Sequence, residues 1–111
     1  MRCVAVLAYL LSVAAAHAQA VAGDTMLELC SSDDEKTKTI CIGYVRGFMD
    51  GSVYQATVTK QKTFYCVKDA SLTYPGLAEI FRKWLDAHPN ELSKPGGVLL
   101  ANTMKESFPC K

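Results

Sequence analysis

Apolar residues recur with a helical period over much of this chain, and the plainest case is Leu77, Ile80, Phe81, Trp84 and Leu85. They stand at i, i+3, i+4, i+7 and i+8, with Glu79, Arg82, Lys83 and Asp86 on the other face, which predicts an amphipathic helix. Pro75 suits its first turn, and His88-Pro89 ends it because a residue before proline is pushed out of helical geometry. Upstream, Asp24 to Cys30 offers an N-cap aspartate followed by Met26, Leu27 and Leu29, enough for a short helix that Ser31 to Asp34 then breaks. A second helix is predicted from near Ser32 or Asp33 to about Gln55, with Asp33, Asp34 and Glu35 at the positive end of its dipole. Ala56 to Val67 mixes threonines and lysines with Phe64 and Tyr65, and reads as an extended connection or short edge strand anchored by Cys66. Lys94-Pro95-Gly96-Gly97 opens a last helix in which Val98, Leu100, Ala101, Met104 and Phe108 are expected to face inward. The fold class is all-α: a small disulfide-stapled bundle of three longer helices plus one short N-terminal helix.

Within the second helix, Gly43, Gly47 and Gly51 fall on one stripe. Each interior glycine costs a helix about 1 kcal/mol relative to alanine, so the stripe calls for compensation by close packing. Tyr44, Val45, Phe48 and Met49 supply apolar groups, and charges are sparse at Lys38, Arg46 and Asp50. The expectation is a buried helix whose glycines pack against the last helix.

The first 20 residues change the picture of where the chain works. Met1-Arg2, an apolar run from Val4 to Ala16 and the small residues after it read as a secretory signal peptide, cleaved after Ala18 or Ala20. The run is shorter than the roughly 20 residues that span a bilayer, so residues 21–111 are expected as one exported domain with no membrane insertion. Loss of Cys3 with the signal leaves Cys30, Cys41, Cys66 and Cys110, an even set that implies two disulfides in an oxidising compartment. An up, down, up course of the last three helices favours Cys30 with Cys41 and Cys66 with Cys110; the rival, Cys41 with Cys110 and Cys30 with Cys66, needs the last helix to return to the start of the second. The spacings match neither a zinc pattern nor a C-x-x-C redox motif, so no metal is expected. Without Arg2 the charge balances at eleven basic against eleven acidic residues, which argues against nucleic acid and anionic membrane as partners.

Reactive chemistry is missing. His88 is the one histidine after the signal, and its position at a helix end suits a cap on the last carbonyls better than a general base. No nucleophile motif or phosphate-cradling loop is present, so neither enzyme activity nor a cofactor is expected.

The order C-x-G-Y-x-x-G-x-x-D at Cys41 to Asp50, W-L-x-x-H-P at Trp84 to Pro89 and F-P-C at Phe108 to Cys110 resembles the Rap1a/Tai family of exported immunity proteins. The likeness runs from about Gly23 to Cys110, although Val67-Lys68 follows Cys66 where members usually carry a proline. The resemblance implies a small helical dimer in the periplasm that inhibits a peptidoglycan-cleaving amidase effector of type VI secretion by blocking its active-site cleft. Under that reading the loops His88 to Gly97 and Ala56 to Tyr65 make the contact, with Tyr65, Asn90, Glu91 and Lys94 as exposed candidates. A dimer would form through the third helix or through the glycine stripe. The alternative from another class is a periplasmic stress or chaperone-like helical protein with no amidase target.

Overall fold

The computed structural model describes residues 19–111. The predicted signal peptide lies outside the described residues, apart from Gln19 and Ala20. Four α-helices follow in order: α1 (Gly23–Ser31), α2 (Glu35–Thr59), α3 (Tyr74–Ala87) and α4 (Gly96–Ser107), with a 3₁₀ turn at Pro89–Glu91 between the last two. Among the described residues there is no strand, and the segment after α2 is an irregular connection rather than an edge strand.

The start of α1 is capped by backbone. Asp24 lies inside the first turn instead of at the N-cap, which is Ala22 and provides no side-chain bond. The free N–H groups of Gly23 and Asp24 donate to the carbonyls of Lys94 and Leu92, both at 3.0 Å, and Gly96 N–H donates to Val21 O at 2.6 Å. These bonds satisfy donors that a helix leaves orphaned, and they clamp the segment before α4 onto the start of α1. Close approach at this seam requires glycine: a Cβ on Gly23 would lie 2.3 Å from Leu99 Cδ1, and one on Gly96 would lie 2.9 Å from Met26 Cγ.

Asp34 caps α2, accepting from Thr37 N–H and Thr37 Oγ1, each at 2.8 Å, so the helix begins two residues later than its acidic cluster suggested. These bonds, that from the Thr37 backbone first, hold the Asp34 carboxyl below its ordinary value. The other end runs past Gln55 to Thr59, where Lys60 adopts left-handed geometry. Gln61 N–H then bonds Ala56 O at 2.9 Å and Lys60 N–H bonds Thr57 O at 3.3 Å, the pairing of a Schellman stop.

The expectation that α2 is largely buried is corrected. Only Cys41 and Val45 are buried along its 25 residues, and Gly43, Gly47 and Gly51 have nothing within 4 Å of where a side chain would begin. The reason is length. At 1.5 Å per residue α2 is about 37 Å long, against about 14 Å for α1 and about 21 Å for α3, so its second half outruns its partners. The last helix packs on α3 and α1, away from the glycine stripe.

The third helix matches its pattern. Thr73 caps it, accepting from Gly76 N–H at 3.2 Å, and Leu77, Ala78, Phe81 and Leu85 are buried. In α4 the inward face is Leu99, Leu100, Thr103 and Met104, while Val98, expected inside, is 48% exposed. The contact of Gly96 with Met26 sets the rotation of this helix and turns Val98 outward. Thr103 is tolerated inside because its hydroxyl donates to Leu99 O at 2.8 Å.

Met26, Cys41, Val45, Phe81, Leu85, Leu99, Leu100 and Met104 form the centre of the core. Two disulfides staple it, Cys30–Cys41 and Cys66–Cys110, the pairing favoured by the up, down, up course. Closing loops of these lengths contributes roughly 3 and 4 kcal/mol by restricting the unfolded chain.

Candidate partner-binding surface

Three surfaces hold the groups with which this molecule can meet a partner. The first is the segment from His88 to Gly96. The helical register of α3 brings His88 one turn beyond Trp84, so their rings stack at 3.8 Å and His88 Nδ1 pairs with Trp84 O at 2.6 Å. That is the capping role expected of this histidine. Across the seam with α4, Trp84 Nε1–H donates to Glu106 Oε2 at 2.6 Å. Beyond this anchor, Asn90 is exposed and Glu91 pairs with Lys94. The backbone bonds to α1 fix the base of the segment, so these polar groups are presented on a stiff support rather than a free loop.

The second surface follows α2. Tyr65, expected among the exposed contacts, is instead 4% exposed, and its hydroxyl meets the Ser52 hydroxyl at 2.6 Å. Its neighbour Phe64 is the outward residue, edge-on to both Phe48 and Tyr65. Sequence alternation alone could not choose between them, because the choice rests on the long-range meeting of the Tyr65 hydroxyl with Ser52.

The third surface is one for which the sequence pattern predicts burial. Ile40 is 58% and Tyr54 69% exposed, and with Val58 they flank the open glycine stripe on one face of α2. Lys36 and Asp50 fall on the same side of the helix, and that was the available signal that the stripe meets water. Along its edge, the Arg46 guanidinium sits 5.3 Å from the centre of the Tyr74 ring. Nearby, Met49, Val67, Leu72, Thr73, Tyr74, Pro75 and Leu77 line an apolar hollow of about 490 Å³. Burial pushes the Tyr44 hydroxyl up, and on α3 the Arg82 guanidinium, bonded at 2.9 and 2.6 Å, holds Glu79 below its ordinary value.

Among the described residues, no group of three or more His, Cys, Asp or Glu side chains converges as a metal site, and no helix is long and apolar enough to cross a membrane.

Taken together, fold and surface define a small, doubly stapled helical domain with exposed polar and apolar side chains. The chain belongs to the family of Rap1a immunity proteins, whose model matches residues 22–110. Neither the curated proteins nor the solved structures provide a match.

Proposed function

We propose that this protein is a periplasmic immunity protein that binds a peptidoglycan-cleaving amidase effector of type VI secretion and blocks its active-site cleft. The observation that carries the reading is the match to the immunity family across nearly the whole helical domain. Inhibition of this kind needs a stiff, complementary surface and a few anchors rather than reactive groups. The clamped His88–Gly96 segment supports that need, with Asn90, Glu91 and Lys94 as contacts. Tyr65 contributes by holding Phe64 outward.

A second copy of the chain is the partner we assign to the face of α2. Ile40 and Tyr54 stand seven residues on either side of Gly47, and Gly43 and Gly51 stand four residues on either side. An antiparallel pair centred on Gly47 therefore sets Ile40 against the partner's Tyr54, while the glycines permit close approach. Arg46 and Asp50 share one edge of this face, so each Arg46 would lie beside the partner's Asp50.

The test is protection of cells. Export of the cognate amidase to the periplasm should lyse cells, and co-export of this chain should prevent lysis. Lysis undiminished by well-expressed, folded chain would overturn the proposal. Dye binding that rises on acidification, without amidase binding, would instead favour the helical stress-protein reading.

A further inference from the structure

The two disulfides occupy opposite environments. Cys30 and Cys41 are 4% and 1% exposed, within the core cluster, and the hollow bordering them is small, about 190 Å³. By contrast, Cys110 is exposed and Cys66 half-buried, and both line a surface hollow of about 630 Å³ with Lys62, Thr63 and Lys111. A second hollow, about 380 Å³, reaches Cys66 from the side of Lys68, Asp69 and Phe108. Three lysines therefore surround this bond against a single side-chain carboxylate, Asp69, which is engaged by Ser71.

We propose that Cys66–Cys110 is a selectively reducible latch, opened by an external dithiol while Cys30–Cys41 stays closed. Thiol exchange requires a thiolate to reach a sulfur of the disulfide, and cationic neighbours favour both the approach of that anion and the departure of the leaving thiolate. A thiolate of the dithiol attacks Cys110 Sγ. The Cys66–Cys110 bond breaks with its electron pair passing to Cys66 Sγ, which is then protonated. The second thiol of the reagent attacks its own sulfur in the mixed disulfide and releases Cys110 as a thiol. Two electrons pass to the protein, and the dithiol leaves as a cyclic disulfide.

Opening this latch removes one of the ties on a particular part of the fold. The connection from Gln61 to Thr73 would remain tied by Cys66 N–H to Phe108 O at 2.8 Å and by the Tyr65–Ser52 hydroxyl contact. The α1–α2 staple and the core between α1, α3 and α4 are untouched. The result is a local loosening around Phe64 and Tyr65 with the helices in place.

The test is native reduction of the full oxidised protein by dithiothreitol, quenched at intervals with a thiol-alkylating reagent and read by peptide mapping, which separates Cys3 from the other four. Cys66 and Cys110 should be labelled at least about ten-fold faster than Cys30 and Cys41, and the helical circular dichroism signal should persist at the two-thiol stage. Labelling of all four together with loss of helix, or of Cys30 and Cys41 first, would overturn the proposal. The Cys66→Ser, Cys110→Ser double variant should keep its helical signal, and an unfolded variant would count against the latch as well.

Discussion

The Tyr65 hydroxyl lies 2.6 Å from the Ser52 hydroxyl, and Ser52 in turn donates to Met49 O at 2.8 Å. The connection after α2 is thus folded back onto the helix it has just left. Tyr65→Phe removes this bond but keeps the buried ring, so it should lower stability by about 0.5–1.5 kcal/mol. Tyr65→Ala also empties the ring's site and should cost more, about 3–5 kcal/mol. Urea unfolding of the two variants checks the order. If Tyr65 acts as a support rather than a contact, Tyr65→Phe should leave amidase affinity unchanged.

Glycines separate into two classes by what surrounds them. At Gly47 an added side chain meets nothing, so Gly47→Ala should stabilise the monomer by about 0.5–1 kcal/mol. Gly96→Ala, aimed at Met26 Cγ, the Tyr44 hydroxyl and Val21 O, should destabilise by about 1–3 kcal/mol. Gly47→Leu should leave the monomer folded and abolish the dimer centred on α2, which light scattering during size-exclusion chromatography reads directly. A dimer unaffected by Gly47→Leu would assign the interface elsewhere.

That contrast also marks what the sequence could convey. Periodicity identified α3 down to Leu77, Phe81 and Leu85, because those residues repeat against a charged opposite face. The same reasoning predicts a core seam at the glycine stripe of α2, which lies open. A glycine has no side chain to declare a preference for water or protein, so its surroundings follow from helix length and from which partners are long enough to cover it. The inward turn predicted for Val98 fails for a similar reason, since the rotation of α4 is decided by the long-range contact of Gly96 with Met26. Chain course favours the observed stapling over its rival without excluding the rival, and the structure has Cys30–Cys41 and Cys66–Cys110. Asn90 and Lys94 are exposed and Glu91 is half-buried, whereas the inward turn of Tyr65 follows from its long-range meeting with Ser52, which no local pattern announces.

Acid should weaken the start of α2. Asp34 has its carboxyl held below the ordinary value of 3.8 by bonds from Thr37. A depressed carboxyl contributes stability that is complete above its unfolded value and is lost as pH falls through the lower folded value. Glu79, paired with Arg82, and Asp69, bonded by Ser71, act in the same direction. Melting temperature should therefore fall as pH drops below about 4, and Asp34→Ala should lower it at neutral pH while flattening this acid dependence. Thermal melts across that pH range provide the measurement.

Core packing should dominate over surface pairing. Phe81 is fully buried in the core cluster, and Phe81→Ala should cost about 3–5 kcal/mol. The Arg82–Glu79 pair at the surface should contribute far less, and less still in salt. Denaturant titrations of Phe81→Ala and Arg82→Ala at low and high salt distinguish the two.

The reading as an immunity protein is tested most directly by titrating the purified chain into the cognate amidase while following cleavage of peptidoglycan. Activity should fall in proportion to added chain until the two are stoichiometric, with a complex that survives size-exclusion chromatography. Alanine substitutions at Asn90, Glu91 and Lys94 should weaken that inhibition without unfolding the protein. Full amidase activity in the presence of excess folded chain, with no complex formed, would contradict it.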